Sequence, residues 1–371
     1  MQQDRPKIAI LVSFSGEGGV EKMLTNLAAG FLARGVDVDF LLVKDRGKHV
    51  DSIPAGARVI KSGVSSSMGS LPWIVKYLRR ARPDAVLAAK DRAGRAAVLA
   101  RKISGVSTRL VIRLGTHLSE SMKGKNRLQK ALRYYPAKWF YPGADAIVCV
   151  SPGVLEDFVN ITGLARSRFR VVSNPVVTPE LSELASKQLQ DEWFPDPSAS
   201  SILAVGRMTD QKDFSTLLQA FAQLYQQKKC RLLILGEGPK RRELESEIRR
   251  LGIEEAVRMP GFVPNPYSYM ANADLFVLSS VFEGSPNVLK EALALGTPVV
   301  ATDCKSGPRE ILQNGKYGHL VSIRSPQELA DAMKQVLENP PDRSLLPEAV
   351  SGYTLEASCR DYLEVLGITP G

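Results

Sequence analysis

The sequence of 371 residues is poor in cysteine, with four, and in histidine, with three. Cys149, Cys230, Cys304 and Cys359 are scattered without paired spacing, and no C-x-x-C occurs. That argues against a disulfide framework and against a structural metal site. Cys149 and Cys230 lie within or beside apolar runs, where a thiol behaves as a small buried hydrophobe. The compartment therefore reads as reducing, hence cytoplasmic. Long hydrophobic runs are also missing. The longest, such as residues 8–12 and 232–235, are strand-sized, far below the roughly 20 residues of a membrane-spanning helix. No apolar h-region with a cleavage site precedes the first strand pattern, which argues against secretion. No helix-turn-helix or aromatic-rich RNA platform accompanies the basic charge, so a nucleic-acid-binding protein is disfavoured. The dinucleotide fingerprint G-x-G-x-x-G is incomplete after the first strand, which disfavours a nicotinamide dehydrogenase.

What is present is charge of one sign, concentrated in one half. The net charge is +10. Residues 1–175 hold 29 Lys/Arg against 13 Asp/Glu, a balance of +16. Residues 176–371 hold 20 against 26, a balance of −6. The first half is thus expected to face something anionic.

The length suits two domains, and each half alternates short apolar strands with helical spacing, the signature of parallel βαβ units. Strands are expected at 8–12, 36–42, 85–88, 110–114, 146–150 and 170–172, then at 201–205, 231–235, 275–278 and 298–301. Residues 174–200, rich in Ser and Pro, read as the connection. The boundaries expected are 1–175 and 176–350, with a final helix over 353–367. Ser325-Pro326-Gln327-Glu328 reads as a capping box with proline at the first helical position, opening a late helix. In sheets of this kind ligands bind beyond the carboxyl ends of the strands, so the chemistry is sought in post-strand turns.

Four such turns carry unusual residues. Glu283-Gly284-Ser285-Pro286-Asn287-Val288 leads from a strand into a helix that holds Glu291. A helix N-terminus suits a diphosphate, and carboxylates on either side can accept hydrogen bonds from sugar and ribose hydroxyls. Two glutamates eight apart also arise by chance on ordinary turns. Gly206-Arg207 through Lys212 places two cations on another turn, a grip for a diphosphate or simply a solvated basic loop. Gly16-Glu17-Gly18-Gly19 opens the first helix and can cradle phosphate or sugar. His117 follows the strand at 110–114; a lone histidine is more often structural than catalytic. His49 and His319 have no such context. The turns at Gly236 and Gly261-Phe262-Val263 also follow strands.

The stretch from Glu283 through Val300 resembles the hallmark of retaining glycosyltransferases of family 4: Glu, seven residues, Glu, then Glu-Ala-x-Ala-x-Gly-x-Pro-Val-Val. The resemblance covers nearly the whole chain. It implies an α/β fold of two Rossmann-like domains facing across a cleft (GT-B), with the final helix crossing back to the first domain. It implies that Glu283 contacts donor-sugar hydroxyls and Glu291 the ribose. The backbone of Ser285, Pro286, Asn287 and Val288 would meet sugar and diphosphate, beside Gly284. Arg207 and Lys212 would bind the donor phosphates. Gly236 would line the donor site, and the Val263 loop would read the base. Gly18 and Gly19 would lie where acceptor meets donor, and His117 near the donor's primary hydroxyl. Asn174-Pro175 would be the interdomain connection. Two departures are Ser285, where a bulky apolar residue is usual, and Asp213, where glycine is usual. No Asp-x-Asp follows a strand in the style of metal-dependent transferases, so no metal and no other cofactor is expected.

The expected reaction is retaining transfer from a nucleoside-diphosphate sugar, a UDP-sugar favoured, to an acceptor hydroxyl. A sugar-nucleotide epimerase of the same fold is the alternative. Residues 123–138 carry Lys123, Lys125, Arg127, Lys130, Arg133 and Lys138, interleaved with Leu128, Leu132, Tyr135 and Trp139. This reads either as a solvated helix or as a basic amphipathic surface for anionic lipid headgroups, extended by Lys76, Arg79, Arg80 and Arg82. On the second reading the protein is peripheral on the inner face of the cell membrane, and its acceptor is a membrane-held glycolipid or polysaccharide precursor.

Overall fold

In a computed structural model, which describes residues 5–14, 19–45, 50–64, 66, 69–189 and 191–369, the chain divides into two compact units. One comprises Met1–Pro175 with Tyr353–Gly371, the other Val176–Gly352.

The first unit runs β1 (Lys7–Phe14), α1 (Gly19–Leu32), β2 (Asp37–Asp45), β3 (Arg58–Lys61), α2 (Leu71–Ala81), β4 (Ala85–Ala89) and α3 (Asp91–Ser104). It continues with β5 (Arg109–Leu114), α4 (Leu118–Ser121), α5 (Arg127–Phe140), β6 (Ala146–Cys149), α6 (Pro152–Thr162) and β7 (Phe169–Val171). The strands form one parallel sheet in the order β3-β2-β1-β4-β5-β6-β7. Alternation along β1 sends Ile8, Ile10, Val12 and Phe14 into one core and Ala9 and Leu11 into the other. Every residue of β4 is buried, as expected of a central parallel strand covered on both faces.

The second unit runs α7 (Pro179–Ala185), β8 (Ser200–Val205), α8 (Phe214–Tyr225), β9 (Cys230–Leu235), α9 (Arg241–Leu251), β10 (Val257–Gly261) and α10 (Tyr267–Asn272). Then follow β11 (Leu275–Leu278), α11 (Asn287–Ala294), β12 (Val299–Thr302), α12 (Pro308–Ile311), β13 (His319–Val321) and α13 (Pro326–Glu338). Its parallel sheet has the order β10-β9-β8-β11-β12-β13. Both units are therefore Rossmann-like.

The last helix, α14 (Leu355–Leu366), belongs to the first unit and buries Cys359, Tyr362, Leu363 and Leu366 in the core shared with α1. Gly30 makes that contact possible. A Cβ there would lie 2.3 Å from Cys359 Sγ, so the two helices meet at a distance only glycine permits. Mid-helix glycine costs about 0.5–1 kcal/mol relative to alanine, which here is offset by packing.

Local readings differ from the structure in three places. Residues 174–200 contain α7, nucleated by Thr178, whose hydroxyl accepts from Leu181 N. At α13 the helix begins at Pro326, but Ser325 makes no side-chain cap; Glu328 instead accepts from Ser322 N at 2.9 Å. A reciprocal capping box forms at α5, between Asn126 and Gln129. The strands β3 and β13 were not expected; both are edge strands with mostly exposed or half-buried residues, so they lack the continuous apolar run of a central strand.

Candidate functional site

In each sheet the strand order reverses once, between β1 and β4 in the first and between β8 and β11 in the second. Beyond the carboxyl ends of such strand pairs the flanking loops diverge and leave a crevice. In the second unit that crevice is bridged by an ion pair. Lys212, after β8, places Nζ 2.7 Å from Glu283 Oε1, after β11. Both side chains are nearly buried, at 14% and 9% exposure. Glu283 also accepts from Ser280 Oγ at 2.7 Å and from Gln211 Nε2 at 3.3 Å. Gln211 further donates to Phe282 O, Val281 N donates to Gln211 O, and Ser279 Oγ donates to Lys212 O. The two loops are thus stitched together by backbone and side chain. Asp213 takes a left-handed conformation at φ 46°, which Asp tolerates, and its carboxylate accepts from Thr216 Oγ1. That is how this chain manages without the usual glycine.

Arg207 stands apart from this pair. It is exposed, and among the described residues its guanidinium forms no ion pair. The two cations of the turn are therefore in unlike states, one held by a carboxylate and one open to solvent.

The neighbouring loops are locked to the same edge. Gly206 N donates to Leu235 O, Met208 N to Glu237 O and Gly236 N to Gly261 O. Gly236 has φ 134°, and a Cβ on it would fall 2.1 Å from Gly206 O, so no other residue fits. Val263 is half-buried just beyond β10. Just before α11, Gly284 and Pro286 are buried, while Asn287 and Val288 at the helix start are half-buried. Glu291 accepts from the Tyr267 hydroxyl at 3.3 Å; burial first, then the Glu291 and Glu180 charges, push that phenol far up.

One residue was not singled out from the sequence. Lys290 is fully buried, and its Nζ donates to Ser285 Oγ at 2.9 Å. The unusual serine and the buried lysine are partners. The signal available was that departure at 285, with a cation five residues on. Cys304 lies by the same cluster, its thiol pushed up to about 12 by burial and by the Glu283 charge.

In the first unit, Gly19 begins α1. Gly18, with Gly16, Glu17 and His49, lies outside the described residues. Across the reversal point Lys90 Nζ lies 2.7 Å from Glu21 Oε1 and donates to Ser13 O at 3.1 Å. Lys90 holds φ 77° and ψ 150°, a conformation costly for a residue with a Cβ. Nothing in the local sequence announces it. His117 precedes α4, with Nδ1 3.3 Å from both Asp157 Oδ2 and Ser119 Oγ. Asp157, on α6, also accepts from Leu118 N and Ser119 N. Burial would raise its carboxyl, but the hydrogen bonds from His117 and Ser119 outweigh that and hold it below the usual range. A carboxylate at Nδ1 leaves Nε2 to face a ligand. Behind these residues a recess of about 410 Å³ runs to α5, lined by Ser119, Asp157, Ile161, Tyr134, Tyr135 and Lys138. Asn174 is held by buried Arg113, which donates to its Oδ1 at 2.8 Å.

Comparison with known proteins joins these features to a family. Residues 17–179 match the family described as Glycosyltransferase Family 4, and residues 199–339 match Glycosyl transferases group 1. The N-acetylgalactosamine-N,N'-diacetylbacillosaminyl-diphospho-undecaprenol 4-alpha-N-acetylgalactosaminyltransferase of Campylobacter jejuni is 32% identical, over 90% of each chain. The chain belongs to glycosyltransferase family 4. LpsE of Rhizobium meliloti, a lipopolysaccharide core biosynthesis glycosyltransferase, is 28% identical over 96% of this chain and 98% of its own. Among solved structures, HepE of Anabaena with UDP and glucose superposes with a TM-score of 0.78, covering 98% of this family 4 chain and all of its own, at 20% identity. That likeness places the fold in the GT-B class of two Rossmann-like domains.

Proposed function

We propose that this glycosyltransferase moves a sugar from a UDP-sugar to an acceptor hydroxyl, with retention at the anomeric carbon and without a metal. The Lys212–Glu283 pair at the reversal point of the second sheet carries the reading, because it sets a fixed carboxylate and a fixed ammonium on one crevice. Glu283 orients donor-sugar hydroxyls as a hydrogen-bond acceptor. An ammonium has three N–H donors; one serves Glu283, leaving two for diphosphate oxygens, with Arg207 as the second cation. Together they stabilise the charge that develops on the leaving nucleoside diphosphate. The amides at the start of α11 and the backbone of Ser285, Pro286, Asn287 and Val288 face the diphosphate, and Gly284 lets them approach. Glu291 takes the ribose hydroxyls, and Gly236 and Val263 border the nucleotide.

Among the described residues of the first unit, Asp157 is taken up by His117 and Ser119 and Glu21 by Lys90, and no carboxylate is assigned as a nucleophile. The acceptor oxygen then attacks on the face that the diphosphate leaves, and a phosphate oxygen takes its proton as the sugar–phosphate bond breaks. His117, aligned by Asp157, donates to the donor's primary hydroxyl, with Gly18 and Gly19 beside the acceptor. The names of the relatives support the acceptor class. The C. jejuni enzyme is named for a diphospho-undecaprenol-linked glycan, and LpsE for the lipopolysaccharide core. By analogy the acceptor here is a membrane-held glycolipid or polysaccharide precursor at the anionic inner face of the cell membrane. These curated relatives are transferases, which disfavours the epimerase alternative.

The test is turnover of a panel of nucleoside-diphosphate sugars with lipid-diphosphate-linked glycan acceptors, in chelator, with the product linkage read by NMR. An α-linked product from an α-configured UDP-sugar is expected. An inverted anomer, or sugar epimerised without acceptor, overturns the reading.

A further inference from the structure

On α5, residues 128, 132, 135 and 139 recur at spacings of four, three and four, so they form one stripe along the helix. In an ordinary helix that stripe packs on the core. Here it faces out: Leu128 is 69% exposed, Leu132 65%, Tyr135 61% and Trp139 80%. The only buried residue of the helix is Ala137. The opposite side is firmly seated, with Tyr134 and Phe140 against the core and Arg133 Nη1 3.4 Å from Asp91. The Asn126–Gln129 capping box fixes the helix start, so the apolar face exists before anything binds it.

The surrounding charge says what covers it. Residues 121–141 contain six Lys/Arg and no Asp or Glu. Lys123, Lys125, Arg127 and Lys138 are exposed. Arg127 and Lys138 flank the stripe by helical geometry, and Lys125 sits just before it. An apolar stripe with a tryptophan and a tyrosine, flanked by the exposed cations Lys125, Arg127 and Lys138, matches the headgroup–acyl boundary of an anionic bilayer. Among the described residues no helix is long and apolar enough to cross a membrane. Arg79 is engaged by the carbonyls of Ile103 and Ser104, to which it donates.

We propose that α5 lies on an anionic lipid surface, with Leu128, Leu132, Tyr135 and Trp139 in the acyl boundary and Lys125, Arg127 and Lys138 against the phosphates. Tyr135 and Lys138 also line the recess whose far wall holds Ser119 and Asp157, the partners of His117. A lipid-linked acceptor would thus enter the first unit at the bilayer surface. That last consequence rests on the acceptor reading above; the docking does not.

The full chain is tested by flotation with vesicles containing one-third phosphatidylglycerol in phosphatidylcholine, and with phosphatidylcholine alone. Binding to the anionic vesicles, a blue shift of tryptophan emission and weakening by added salt are expected. Leu128→Ser/Leu132→Ser/Trp139→Ser should lose about tenfold or more in vesicle affinity while melting like the parent, since these side chains are solvent-exposed. Lys125→Glu/Arg127→Glu should lose the preference for anionic lipid. Slow hydrolysis of a UDP-sugar in the absence of acceptor should be unchanged in both. Equal binding by parent and triple variant, or no binding to anionic vesicles, overturns the proposal. So does a parent that dimerises in solution through this face, with the triple variant monomeric. Vesicle binding without any turnover would overturn the enzymatic reading and leave the docking standing.

Discussion

Lys212 Nζ lies 2.7 Å from Glu283 Oε1 across the reversal point of the second sheet, and Lys90 Nζ lies 2.7 Å from Glu21 Oε1 across that of the first. Each pair ties the segment that follows the first strand of a unit (the loop at Lys212, the first turn of α1 at Glu21) to the loop after its fourth strand. Sequence separations of 71 and 69 residues are closed in this way. Since Ser280 and Gln211 also bond Glu283, its carboxylate has little freedom before a ligand arrives. Pre-organisation of this kind is what an electrostatic site requires.

Lys212→Met and Glu283→Gln should each lower kcat/KM by about 10²–10³. Because each removes the other's partner, the double variant should lose far less than the product of the two. A coupling of about 0.5–3 kcal/mol is expected from the cycle. Additive losses would show that the two side chains act separately.

Ser285→Ala deprives the buried Lys290 ammonium of one acceptor and should destabilise the protein by about 1–3 kcal/mol. Lys290→Met removes the charge while keeping the volume, and should be milder. The order of the melting temperatures decides; a Ser285→Ala protein as stable as the parent would separate the two residues.

Asp157 has a folded pKa below its unfolded one, so its contribution to stability is present above the unfolded value of about 4 and lost as pH falls through the lower folded value. Asp157→Asn should therefore melt lower than the parent at neutral pH, and the gap should narrow as pH falls below the unfolded value of about 4. A constant gap across that range would assign the loss to packing. The same variant should alter the pH profile of kcat, through the lost alignment of His117.

Gly30→Ala should cost about 1–3 kcal/mol, because its Cβ would collide with Cys359 Sγ. Cys359→Ala opens that space, so the double variant should regain part of the loss. Thermal unfolding of the four proteins reads the effect directly.

The doubly wound architecture was legible because central parallel strands are continuous apolar runs and the helices between them keep a 3.6-residue period. The glutamate motif was legible because its chemistry is compressed into nine consecutive positions, 283–291. Lys90 was not, since its importance lies in a backbone conformation and a partner 69 residues away. Lys290 was not legible either, because a cation on a helix normally faces water, and only the packing shows it buried against Ser285. Ser325 and Glu328 had the right spacing for a cap, yet Glu328 found a backbone donor in Ser322 instead.

The sequence by itself determined the βαβ order, the unequal charge of the two halves, the family and the amphipathic period of residues 128–139. Local patterns suffice for these, because strand and helix periods and motif spacings are written in neighbouring residues. Only the tertiary structure decided that Lys212 is paired while Arg207 is open, and that Asp157 stands behind His117. It also decided that the apolar stripe of α5 faces outward. A helical period shows that an apolar face exists, but which neighbour covers it depends on how distant elements pack.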